Sequence, residues 1–158
     1  MRRLRVEAAI ASTNPDYQGE RFTEECLAAI PKDTAFLVTR NFDPTTVLGT
    51  GKVIGVKKGT KDSKYLWVQA DITDDLPIGQ SLIELLEAEK KMKVKERKTR
   101  FVISGKIVKT EKEGDSRIIT EVQMGDVGFT RNPVDTTLPP IKIIGKTGKP
   151  DSKTESEE

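Results

Sequence analysis

Apolar residues on alternate positions recur along this chain, and that period of two confines it to a β-rich fold. Leu4, Val6, Ala8 and Ile10 make the first such run. In residues 64–72, Leu66, Val68, Ala70 and Ile72 share one face, and Tyr65, Trp67, Gln69 and Asp71 share the other. Residues 51–58 pair naturally with that run as a hairpin, because Gly59-Thr60-Lys61-Asp62 between them is turn chemistry. Residues 35–39, 99–109, 117–122 and 126–130 read as further strands. Glu113-Gly114-Asp115 turns one of these into the next. Residues 41–51, with Asp43-Pro44 and two glycines, read as a loop.

Two segments keep helical spacing instead. Thr23 followed by Glu24 and Glu25 is an N-cap with acids in the first turn, and the helix it starts ends before Pro31. Asp74-Asp75-Leu76-Pro77 opens the stronger helix, with Asp as the expected cap and a stripe of Ile78, Leu82, Leu85 and Leu86. The expected fold class is therefore α+β and mainly β: an antiparallel sheet or partly closed β-barrel with two flanking helices. Residues 1–138 are expected to form one domain. Residues 139–158, rich in Pro, Lys and Gly and then in acids, are expected to be a flexible charged tail.

The composition narrows the chemistry. The 158 residues carry 27 Lys and Arg against 25 Asp and Glu, so no global basic field points to specific nucleic-acid binding. Cys26 is the single cysteine and there is no histidine, which leaves neither an intrachain disulfide nor a zinc site to expect. No metal and no cofactor are expected. No apolar run is long enough to cross a bilayer, and the charged start lacks the apolar stretch of a signal peptide, so no membrane partner is expected. Seven basic residues fall in residues 90–100 and read as a solvated helix end or as a contact for acidic segments. Trp67, the only tryptophan, stands on the polar face of its strand, where it can cover a second core or an interface.

Four blocks, in order, carry a resemblance. Residues 11–23 read Ala-Ser-Thr-Asn-Pro-Asp-Tyr-Gln-Gly-Glu-Arg-Phe-Thr. Residues 41–45 read Asn-Phe-Asp-Pro-Thr, followed by Gly49 and Val53. Residues 102–107 read Val-Ile-Ser-Gly-Lys-Ile, and residues 126–133 read Asp-Val-Gly-Phe-Thr-Arg-Asn-Pro. The ordered set resembles the phage prohead proteases, capsid-maturation serine proteases similar in fold to herpesvirus assemblin. That resemblance implies a prohead-protease-like fold over roughly residues 7–135. It marks Ser104 as the nucleophile position and Asp126 as the acid that would orient the base. Phe42 then occupies the expected position of the catalytic histidine.

A serine hydroxyl needs an adjacent base to attack an amide near neutral pH, and a phenyl ring can neither take nor give a proton. The resemblance therefore implies a catalytically degenerate capsid-assembly protein of a phage or prophage. Such a protein would act by binding capsid or scaffold chains, with homo-oligomerisation possible. Its place would be the host cytoplasm during assembly and then the prohead or virion. One alternative is an active maturation protease in which Ser104 uses a non-histidine base. Lys106, two residues along the same strand, is the candidate, although same-face Cα atoms stand about 6.5–7 Å apart. The other alternative is a β-barrel binding module of unknown ligand.

Overall fold

A computed structural model describes residues 2–16, 18–59 and 61–147. Among them, eight strands form one sheet. They are β1 (Arg3–Ser12), β2 (Glu20–Phe22), β3 (Ala35–Arg40), β4 (Asp43–Lys58), β5 (Lys64–Thr73), β6 (Arg100–Glu113), β7 (Ser116–Thr130) and β8 (Lys142–Thr147). Two α-helices accompany them, α1 (Glu24–Ala28) and α2 (Pro77–Lys90). The neighbours run β2-β7-β3-β4-β5-β1-β8, and β6 pairs with β7.

The sheet is mixed and is not closed into a barrel. Its main body is antiparallel, but β2 and β3 both lie parallel to β7. Those two parallel pairings correct the expectation of an antiparallel sheet. They arise because α1 and the segments beside it return the chain to the same end of the sheet between β2 and β3.

The alternating runs place the core. Leu4, Val6 and Ile10 of β1 and Leu66, Val68 and Ile72 of β5 all point into one buried cluster with Val38, Leu48, Val53, Phe101 and Val127. α2 closes it through Leu82, Ile83 and Leu86. Sequence periodicity found Leu82 and Leu86 but missed Ile83, and Leu85, expected in the stripe, is only half-buried. The cap of α2 also differs: Leu76 occupies the N-cap without a side-chain bond, while Pro77 takes the first helical position. Asp74 instead accepts the Arg2 backbone N–H at 2.9 Å, which ties the helix entry to the start of β1. Thr23 caps α1 as expected, accepting the Cys26 N–H at 3.0 Å.

Residues 41–51, read as a loop, are mostly strand. Asn41 and Phe42 alone make the turn, with φ of 53° and 60°, between Arg40 and its partner Asp43. Positive φ at both central residues is the signature of a two-residue hairpin turn whose twist matches the flanking strands. Gly49 lies mid-strand, where a Cβ would stand 2.0 Å from the Asp71 carbonyl oxygen. It serves close strand approach and does not break the strand.

The expected tail is corrected in part. Lys142–Thr147 form β8 and pair antiparallel with Arg3–Glu7 of β1, and Ile141 before them is buried. The remainder, residues 148–158, lies outside the described residues. On the outer face of the sheet a second, small core forms from Ala9, Tyr65, Trp67 and Leu138. Lys57 and Lys142 both place their ammonium groups over the Trp67 ring, at 5.5 and 5.2 Å from its centre.

Candidate functional site

Phe42, Ser104 and Asp126 are brought to one stretch of β7, residues 125–128. The pairing of β6 with β7 shifts register there: Ile103 opposes Val127, and Gly105 opposes Met124. Ser104 thus faces two residues of β7, Gly125 and Asp126, which is a β-bulge. Its hydroxyl repairs the ladder at that point. Ser104 Oγ donates to the Asp126 carbonyl at 2.9 Å and accepts the Asp126 N–H at 3.0 Å. A side chain has taken over a pair of backbone hydrogen bonds.

The Asp126 carboxylate is turned to another strand. Its Oδ1 accepts the Leu37 N–H of β3 at 3.2 Å, beside the parallel pair of Val38 with Val127. Phe42 lies in the β3–β4 turn with its ring across Gly128. A Cβ on Gly128 would come within 2.9 Å of that ring. The ring is nevertheless 42% exposed, so it covers the backbone of β7 without closing off a chamber. Asp43, next in sequence, has its carboxyl held below the usual carboxylate range by the Thr45 hydroxyl and N–H. Lys106 is exposed. Among the described residues no side-chain base is hydrogen-bonded to Ser104. The one donor and one of the acceptor sites of its hydroxyl are already committed to the Asp126 backbone.

A second feature escaped sequence reasoning. Between the end of β1 and the middle of β6 lies a cavity of about 200 Å³ with apolar walls that include Ile10, Ile103, Ile119 and Val122. A polar network borders it. Ser12, fully buried, donates to Asp135 Oδ2 at 2.5 Å and accepts the Asn14 N–H at 3.1 Å. Asp135 Oδ1 accepts from both the N–H and the hydroxyl of Thr137, at 2.9 and 2.6 Å. Asn14 Nδ2 donates to Thr137 Oγ1 at 2.9 Å, and the Tyr65 hydroxyl donates to the Thr137 carbonyl at 3.1 Å. These bonds fasten the segment after β7 across the gap between β1 and β6. Arg100 completes the fastening: its Nε donates to the Leu138 carbonyl at 2.7 Å, and burial pushes its pKa down, with Glu89 opposing that shift. Ser12 and Asp135 are 123 residues apart, so no local pattern could have paired them.

The single cysteine is equally quiet. Cys26 is buried in α1, and burial pushes its thiol above its ordinary value of 9.0. The thiolate is therefore disfavoured near neutral pH. Among the described residues no group of three or more His, Cys, Asp or Glu could hold a metal ion, and no helix is long and apolar enough to cross a membrane. No family model matches the sequence, and no curated protein matches it either.

Proposed function

We propose that this chain is a capsid-assembly protein with a prohead-protease-like, catalytically degenerate fold, acting by binding capsid or scaffold chains. The family reading rests on the four ordered sequence blocks. What supports the degenerate reading is the Ser104 hydroxyl, which donates to and accepts from the Asp126 backbone, together with Phe42 at the sequence position where the resemblance expects a histidine. Removing the histidine of a hydrolytic triad typically costs about 10⁶ in kcat. Turnover at that level is too slow for processing capsid chains in stoichiometric amounts. On this reading the protein works in the host cytoplasm during assembly and in the prohead or virion. The active-protease alternative would need Lys106 as the base, and that side chain is turned to solvent, with no hydrogen bond to Ser104.

The test is to incubate the protein with the capsid and scaffold chains of its source and follow both binding and chain length. We expect co-elution with at least one of them and no cleavage of either. Cleavage would overturn the degenerate reading, and failure to bind either chain would overturn the assembly role.

A further inference from the structure

The segment after α2 presents two apolar side chains to solvent among lysines. Met92 is 41% and Val94 is 60% exposed, and Lys90, Lys91, Lys93 and Lys95 surround them, all exposed. Two exposed apolar groups inside a ring of cations make an amphipathic patch that a complementary apolar site with an acidic rim would fit. The segment is also held in shape. Arg97 donates to the Lys90 carbonyl at 2.9 Å and to the Met92 carbonyl at 3.1 and 3.2 Å, and residues Val94–Glu96 form a 3-10 turn. A knob fixed in advance loses little freedom on binding.

The cavity between β1 and β6 is its complement. Its volume is below the roughly 300–1,000 Å³ of typical small-ligand sites but suits an inserted aliphatic side chain. Its border holds Asp16, Glu20 and Asp135, and among the described residues no Lys or Arg lines it. Glu20 is paired with Arg117, whereas the partners of Asp16 and Asp135 among the described residues are neutral. Among the described residues β6 is laddered to β7 alone and β8 covers β1 from Arg3 to Glu7, so no ladder joins β1 to β6 beside the cavity. Residues 151–158, with four acids and one lysine, have the wrong charge to fill such a border.

We infer that the Met92–Val94 knob of one copy inserts into the acid-bordered cavity between β1 and β6 of a second copy. Knob and cavity are different patches, so the contact is head-to-tail, and it continues from copy to copy until it closes into a ring. The area involved is small, so the contact is weak, depends on concentration and is strengthened by low salt. This goes beyond the proposed function and does not depend on the protease resemblance.

The test is sedimentation velocity over a hundredfold range of concentration at low and high salt. It uses the wild type, the double variant Met92→Glu/Val94→Glu, and Val134→Lys, which adds a cation at the half-exposed edge of the cavity. All changes lie at exposed or half-exposed positions, and circular dichroism checks the folds. We expect the wild-type mass to rise with concentration, less so in high salt, and each variant alone to stay monomeric. An equimolar mixture of the two variants keeps one intact knob and one intact cavity per pair, so it should stop at the dimer. A wild type that stays monomeric throughout overturns the inference. So does association that both variants retain, or a mixture that stays monomeric while the wild type associates.

Discussion

Thr39 lies fully buried on β3, and its Oγ1 has no hydrogen-bond partner among the described residues. A buried hydroxyl left unpaired costs on the order of 1–3 kcal/mol, and valine has nearly the same shape without it. Thr39→Val is expected to stabilise the fold by about 1 kcal/mol, read as a higher urea midpoint with an unchanged slope. An unchanged or lower midpoint would mean that the hydroxyl is satisfied. At the same scale, the sequence located Ser104, Phe42 and Asp126 but could not show how they are used. Whether a strand serine attacks or merely repairs a bulge depends on the register across β6 and β7. A pairing shift such as that of Ile103 and Gly105 has no signature in local periodicity. Phe42 was legible as a residue without a proton to exchange, yet its left-handed turn position was hidden, because glycine or asparagine is the usual signal there.

Glu89 shows how an element is fastened from its end. It belongs to the last turn of α2 and is only 4% exposed. Its carboxylate accepts the Thr99 hydroxyl at 2.7 Å and the Thr99 N–H at 3.2 and 3.3 Å, and Arg131 approaches to 3.4 Å. One side chain thus joins α2 to the approach to β6 and the end of β7. Glu89→Ala leaves the buried Thr99 groups and the half-exposed Arg131 without their acceptor, and is expected to cost about 3 kcal/mol in a chemical denaturation curve. A loss below about 1 kcal/mol would contradict that role. Reading hydrophobic stripes could not find Glu89, since a pattern assigns glutamate to the wet face. The hairpin of β4 and β5 was legible because alternation and turn chemistry agreed. The first part of β4 was not, because Pro44, Gly49 and Gly51 imitate a loop, although both glycines serve close strand contact.

Across the whole molecule, the β-rich class, the two helices and a second core around Trp67 were legible in alternation and composition. The parallel strands beside β7 and the return of β8 to β1 were not, because both depend on connections that span many residues. Ser104 holds structural bonds in a bulge, Ser12 is tied into a fastening network, and Cys26 is buried inside a helix. The proposed binding role would rest on the cavity and the basic knob. The most direct check of that account is intact-mass spectrometry after exposure to a fluorophosphonate probe near pH 7. The account gives an unmodified mass, because no base activates Ser104. A stoichiometric adduct that disappears in Ser104→Ala would contradict it.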